Sequence, residues 1–349
     1  MPTILDSPRN RRLAAIGIGS VVGLRLLERT LAADLSGQVA LITGGSRGLG
    51  LALARELGAQ GCKLAICARD ESELNETALE LRAAEYEVLA EVCDVSDRPQ
   101  IEAFVALVER HYGRIDLLIT SAGEIQIGPV QDLTVEDFER IMAIDFWGTL
   151  YPVMAVLPGM RARKAGRMAL ITSIGGKIAT PHLLPYTTAK FATVGLAEGL
   201  SAELAPDGIQ VTTVVPGLMR TGSHIQARFT GGQDQRAADF AWFATGASMP
   251  IAPSAESAAR TIIDAIRHGK SEVIFPWYMS LASRANGAFP SLGNRALRLF
   301  EALLPDRPPE PTEPNITEPG EPIEDRSESR LLETLTTLGR AAETEYNQQ

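Results

Sequence analysis

Apolar and polar positions along this chain follow two rhythms. Short, mostly apolar runs recur at Gln38–Ile42, Lys63–Ala68, Glu87–Val92, Asp116–Thr120, Arg167–Thr172 and Ile209–Val215. Runs of that length predict strands buried on both faces. Between them lie longer stretches of helical period: Leu51–Ala59, Ser72–Ala84, Arg98–Tyr112, Thr134 to about Met160, and Tyr186–Ala205. In Arg98–Tyr112, for example, Ile101, Phe104, Val105 and Val108 share one face. Glu136 and Asp137 follow Thr134, as expected of a helix start. Strict alternation of strand and helix predicts an α/β fold, a parallel sheet with helices on both faces.

After Pro216 the alternation stops. Residues 217–250 hold Gly231-Gly232 and the apolar group Phe229, Phe240, Trp242, Phe243 and Met249. Such an insertion reads as a lid over a site, or as a surface helical pair with its own small core. A helix over Ser254–His268 and a strand over Glu272–Phe275 then complete the sheet. Residues 277–304 read as an apolar helical segment. Residues 305–326 are rich in proline and acid and predict a disordered linker; Ser329–Glu345 suits a short terminal helix. The alternating α/β domain, 35–276, is followed by extensions over 277–304 and 305–349 and preceded by one over 1–34.

The first extension is ambiguous. Arg9, Arg11 and Arg12 precede an apolar run, Leu13–Leu24, that is short for a bilayer span. Residues 9–31 read as an anchor on a membrane surface, a helix packed on the domain, or a cleaved signal. Composition narrows the function classes. The chain has 349 residues and a net charge of −10, which argues against nucleic acid as a partner. Cys62, Cys67 and Cys93 lack metal-ligand spacing and read as small core residues in a reducing compartment, so no metal site is expected.

Candidate chemistry centres on the turn Thr43-Gly44-Gly45-Ser46-Arg47-Gly48-Leu49-Gly50. It joins a buried strand to a helix, so backbone N–H groups at the positive helix end can face a pyrophosphate. Tyr186 and Lys190 stand four residues apart and share a helix face. An ammonium one turn away favours the phenolate and is expected to lower the tyrosine pKa, giving a general acid for a nascent alkoxide. Ser173 closes the fifth strand at its carboxyl end, where ligands bind in parallel sheets.

Together, Thr43-Gly44-x-x-x-Gly48-x-Gly50, Ser121-Ala122-Gly123, Ser173, Tyr186-x-x-x-Lys190 and Pro216-Gly217-x-x-x-Thr221 resemble the short-chain dehydrogenase/reductase family in order and spacing. The resemblance spans about Leu35 to Pro276. It implies a Rossmann-type doubly wound sheet of about seven parallel strands in the order 3-2-1-4-5-6-7. It also implies hydride transfer between a nicotinamide and a carbonyl or alcohol carbon. Tyr186 would be the acid/base, Lys190 would tune it and hold the ribose, and Ser173 would position the substrate oxygen. Thr43, Gly44, Ser46, Arg47, Gly48, Leu49, Gly50, Arg69, Asp94, Val95, Ser121, Ala122, Gly123, Tyr186, Lys190, Pro216, Gly217 and Thr221 would face the cofactor, Asp94 at the adenine and Pro216 to Thr221 at the nicotinamide amide. Members commonly form dimers or tetramers through the helices around 134–160 and 186–205.

Two departures stand out. The family's Asn-Ala-Gly is here Ser121-Ala122-Gly123, and its usual asparagine is here Asp145. An ionised aspartate cannot donate a hydrogen bond. It is expected to pair with Lys190 through water, offset part of the tyrosine's tuning and shift the pH optimum. Arg47 and Arg69 stand where NADP-dependent members carry cations, while Asp70 argues for NAD; NADP(H) is favoured. The lid aromatics and Trp277-Tyr278-Met279 suggest an apolar carbonyl substrate, or else simple packing. His182 reads as a substrate contact or an incidental loop residue. A cytoplasmic location is expected, with the membrane surface open as an alternative. A non-catalytic dinucleotide-binding regulator or a membrane-associated scaffold is the competing reading.

Overall fold

Val39–Thr43 is buried at all five positions and forms β1, the strand that feeds the glycine turn. The computed structural model describes residues 32–302, 304, 316–327 and 330–348. The chain divides into two units, Met1–Asp34 and Leu35–Gln349, and the sheet and site belong to the second. The three readings of 9–31 fall outside the described residues.

The strands are β1, β2 (Lys63–Ala68), β3 (Val88–Val92), β4 (Leu117–Thr120), β5 (Gln126–Ile127), β6 (Gly166–Ile171), β7 (Ile209–Pro216), β8 (Arg228–Gly231), β9 (Glu272–Phe275) and β10 (Ile316–Pro319). Seven of them make one sheet in the order β3-β2-β1-β4-β6-β7-β9. Every pairing in it is parallel, from Val39 beside Lys63 at one end of the register to Pro216 beside Phe275 at the other. The order reverses between β1 and β4, which opens a crevice at their carboxyl ends. This is the sheet that the alternation and the resemblance imply.

Helices cover both faces. Gly48–Ala59 and Ala255–Arg267 bury Leu51, Leu53, Ile262 and Ile266 against one face. Arg98–Tyr112 and Gly148–Arg163 bury Phe104, Val108, Val153 and Val156 against the other. Local chemistry sets their starts. Asp70 accepts from Glu73 N–H at 2.9 Å to cap Glu71–Ala83, and Thr134 with Asp137 forms a capping box. The long helix expected from Thr134 is three segments: Val135–Ile141, a wider π turn at Met142–Trp147, then Gly148–Arg163. The π turn carries Asp145, in keeping with the frequent placement of such turns at functional sites. The run Val135–Arg163 is apolar enough to span a bilayer by composition, yet half of its most apolar window is buried in the domain.

The insertion and the tail depart from expectation. Residues 217–250 are neither bare lid nor helical pair. β8 joins β5 and β10 in a second sheet, and the helix Gln233–Ser248 packs beside it. Phe229, Phe240, Phe243 and Leu183 give this layer the small core that the alternative reading anticipated. The linker expected to be disordered contains β10, antiparallel to β8 from Ile316–Gly231 to Pro319–Arg228, and then the helix Gly320–Asp325. Strand pairing with β8 satisfies a backbone that composition alone marked as unstructured. The terminal helix runs Arg330–Glu345 and packs on Gln233–Ser248.

Candidate active site

Gly44 and Gly50 make the turn between β1 and the helix Gly48–Ala59 possible. Gly44 has φ +67°, and a Cβ on it would stand 2.7 Å from Ala122 Cα. A Cβ on Gly50 would overlap the Gly44 carbonyl oxygen. Thr43 is fully buried, and its Oγ1 accepts from Ala122 N–H at 3.4 Å. It therefore ties β1 to the end of β4 and does not face the crevice. The β1 turn and the segment Ser121–Gly123, where serine replaces the family's asparagine, therefore lie backbone against backbone.

At the crevice lies a cavity of about 900 Å³. It gathers nearly all the expected residues: the turn from Gly44 to Gly50, Arg69, Asp94 and Val95, Ser121–Gly123, Ser173, Tyr186, Lys190, Pro216, Gly217 and Thr221. Thr43 and Asp145 lie behind its wall.

Ser173 follows β6 and caps the short turn Ile174–Gly176, accepting from Gly175 N–H at 3.0 Å. Tyr186 and Lys190 project from the first turns of the helix Leu184–Glu203, started by Pro185. A Cβ built on Gly175 would lie 3.4 Å from both Ser173 Oγ and Tyr186 Cε1, so the two side chains meet over this glycine. Lys190 is buried, with Nζ 5.5 Å from the Tyr186 ring centre and 3.4 Å from the Ile171 carbonyl oxygen.

Asp145 lies directly behind Lys190. It is fully buried, and its Oδ1 is 3.7 Å from Lys190 Nζ and accepts from Glu124 N–H at 2.9 Å. The contact is direct, where sequence had suggested one through water. Its Oδ2 has no hydrogen-bond partner among the described residues. Burial raises the Asp145 carboxyl to about 6, against the opposing pull of Lys190. Tyr186 corrects the expectation for its own titration. Burial pushes the phenol up by more than Lys190 and the Ser173 hydrogen bond pull it down, and Asp145 adds to the upward push. The resting phenol is therefore held in its protonated form, the state a proton donor needs.

The arginines expected to face the cofactor sit among carboxylates. Arg47 pairs with Glu73 at 2.7 Å, and Arg69 lies 3.7 Å from Glu124. Glu124 also receives Arg140 and approaches Arg228 at 3.7 Å. Sequence reasoning missed this junction. Its one local signal was the position of Glu124 directly after Gly123, while its arginines arrive from three separate elements. Asp70, read as a hint of NAD, spends its carboxylate on the helix cap.

The apolar wall also differs from expectation. Trp242, Phe243, Met279, Leu218, Leu183 and Phe300 line the cavity. Trp277 is 77% exposed and does not. His182 is buried in the left-handed region, φ +61°, with Nδ1 2.9 Å from Asp239 Oδ1. It fastens the loop before Tyr186 to the helix Gln233–Ser248 and does not line the cavity. Gln348, from the far end of the chain, does.

The model of the short chain dehydrogenase family matches residues 38–230. The chain is 40% identical over 185 residues to the granaticin polyketide synthase putative ketoacyl reductase 1 of Streptomyces violaceoruber, covering 52% of this chain and 68% of that one. It is 33% identical over 252 residues to the dehydrogenase/reductase SDR family protein 7-like of Anopheles gambiae, covering 71% and 77%. Among solved structures, a short chain dehydrogenase/reductase from Burkholderia phymatum in complex with NAD shares the fold at TM-score 0.68 and 22% identity, over 81% of this chain and 99% of that one.

Proposed function

Because the chain belongs to the short-chain dehydrogenase/reductase family, we propose that it transfers hydride between NADP(H) and a carbonyl/secondary-alcohol pair, reducing an apolar ketone or aldehyde. The observation that carries this reading is the meeting of Ser173, Tyr186 and Lys190 in the same cavity as the glycine turn. The turn suits a dinucleotide, since a Cβ at Gly44 would meet Ala122 and one at Gly50 the Gly44 carbonyl oxygen, so only glycine lets the backbone fold this tightly. Bound there, the nicotinamide supplies the hydride.

The protein's own groups do the rest. Ser173 Oγ holds the carbonyl oxygen, and the Tyr186 phenol gives it a proton as negative charge develops. Lys190 stabilises the phenolate that remains and holds the ribose. The protonated resting state of Tyr186 favours the reductive direction. Arg47 and Arg69 at the cavity wall support NADP(H), the 2′-phosphate taking over Arg47 from Glu73. The apolar wall of Trp242, Phe243, Leu218 and Met279 supports an apolar substrate. Carbonyl reduction also agrees with the ketoacyl reductase names of two Streptomyces relatives. Exposed Met154 and Phe191, on the helices Gly148–Arg163 and Leu184–Glu203, support a dimer or tetramer through those helices. Three buried free cysteines support a reducing, cytoplasmic setting.

The test is NADPH oxidation by the purified chain against aldehydes, ketones and 3-oxo lipids, with Tyr186→Phe alongside. Turnover that vanishes in the variant supports the assignment. Turnover that survives removes Tyr186 from its role. Cofactor binding with no turnover on any substrate favours the non-catalytic reading.

A further inference from the structure

The N–H of Gly48 points where a helix-end anion would sit, and it already has a partner. It donates to the Tyr346 carbonyl oxygen at 2.8 Å. Beyond it, Gln348 fills the gap across the turn. A Cβ on Gly48 would stand 2.6 Å from Gln348 Nε2 and 4.0 Å from Thr221 Cβ. Gln348 is thus inserted between the glycine turn, where a helix-end anion is expected, and Thr221, expected to face the cofactor, and it is only 3% exposed.

The insertion is built, with contacts on every side. Gln226 Nε2 donates to the Gln348 carbonyl oxygen at 2.7 Å. Asn347 Nδ2 donates to Thr77 Oγ1 at 2.9 Å, and Thr77 in turn donates to the Ser46 carbonyl oxygen at 2.6 Å. Tyr346 is 3% exposed, with the Arg55 guanidinium 5.4 Å over its ring. Arg55 also donates to the Glu345 carbonyl oxygen at 2.9 Å. One turn earlier, buried Glu343 reaches buried His224 at 3.0 Å, and its Cα would lie 2.7 Å from a Cβ on Gly222. These contacts deliver the last residues to the turn along one defined path.

We propose that the segment Glu343–Gln348 is a built-in ligand of the pyrophosphate cradle, so that the dinucleotide and the chain's own tail exclude each other. The inference rests on the cofactor reading above. One Gly48 N–H cannot serve both the Tyr346 carbonyl and a phosphate oxygen, and the Gln348 amide stands in the path of the diphosphate. Dinucleotide binding therefore requires the tail to withdraw. The apparent affinity is lowered by the fraction of molecules in which the cradle is free. The helix Arg330–Glu345, resting on the insertion layer, gives a partner of that layer a route to the cofactor site.

The test compares NADPH affinity, by titration of its fluorescence, in the full chain, in Gln348→Ala and in a chain lacking residues 346–349. Hydrogen exchange of residues 336–348 and 44–50 is measured in the full chain with and without saturating NADPH. The proposal expects the deletion to tighten NADPH by about tenfold or more, and Gln348→Ala to move the same way by less. Saturating NADPH should speed exchange in 343–348 while slowing it in 44–50. If the deletion chain unfolds, Gln348→Ala and the exchange pattern decide. NADPH that binds with unchanged or weaker affinity in the variants, and leaves 343–348 as protected as before, overturns the tail proposal and leaves the cofactor reading standing. NADPH bound by none of the chains, in folded protein, overturns the cofactor reading and this inference with it.

Discussion

The two ends of the cavity are built on different principles. At the catalytic end, Tyr186 and Lys190 lie one helical turn apart and Ser173 ends the neighbouring strand. At the pyrophosphate end, the turn at Gly48 is closed by Tyr346 and Gln348, about three hundred residues further along the chain. Near-neighbour spacing makes the first end rigid at little conformational cost, because one helix positions two of its groups. The second end is held by contacts from a segment remote in sequence. On the readings proposed above, the chemistry is preorganised and cofactor access is conditional on the tail.

The largest effect that separates the ends is expected from Tyr186→Phe. Removal of the proton donor should lower kcat by about 10²–10⁴-fold while NADPH binding is retained. Stopped turnover together with lost NADPH binding would show that the two ends are coupled, against the comparison. Gly50→Ala comes next and strikes the other end. Its methyl group meets the Gly44 carbonyl oxygen, a backbone atom that cannot step aside. Such overpacking should cost about 1–3 kcal/mol of stability and abolish measurable NADPH binding. A variant that melts and binds like the parent would mean that the turn is looser than its geometry indicates.

The same division explains what the sequence disclosed. The parallel sheet was legible because short, mostly apolar runs alternate with amphipathic helices, and its strand order followed from the family resemblance. The turn, Ser173, Tyr186 and Lys190 were legible because their spacing is local. β10 was not, because Ile316–Pro319 lies in a proline- and acid-rich stretch and becomes a strand only by pairing with β8. Gln348 carries no motif, and its place between Gly48 and Thr221 exists only in three dimensions. The rise in the Tyr186 pKa was hidden for a related reason. Lysine at i+4 was visible, whereas the extent of burial and the charge of Asp145 behind it depend on packing.

A smaller effect should sharpen the cofactor half of the comparison. Arg47→Ala with Arg69→Ala removes both cations from the 2′-phosphate region. Hydrogen bonds to a charged group are worth about 1.5–3 kcal/mol, so affinity for NADPH relative to NADH should fall by about tenfold or more. Glu73→Gln frees Arg47 from its 2.7 Å partner and should improve NADPH modestly. A parent enzyme that prefers NADH from the outset would reverse the assignment, and would cast Glu73 as the group facing the ribose hydroxyls.

The finest test lies at the catalytic end, in Asp145→Asn. The Asp145 carboxyl titrates at about 6 in the folded protein, above its ordinary 3.8. The folded state therefore holds this proton more tightly than the unfolded chain does. Its contribution to stability is full below about pH 4 and is lost as pH rises through about 6, so the protein is less stable at neutral pH than at about pH 4 by this group's share. In the asparagine variant that slope between pH 4 and 7 should disappear from the melting temperature. The charge seen by Tyr186 changes over the same interval. Above about pH 6, ionised Asp145 helps keep the phenol protonated, so its replacement should move the alkaline limb of alcohol oxidation to lower pH and leave maximal turnover nearly unchanged. An inflection near pH 6 in the parent's rate profile should vanish with it. Identical pH–rate and pH–stability curves in the two proteins would mean that Asp145 does not titrate beside Lys190. Tyr186 would then be set by burial, Ser173 and Lys190 alone.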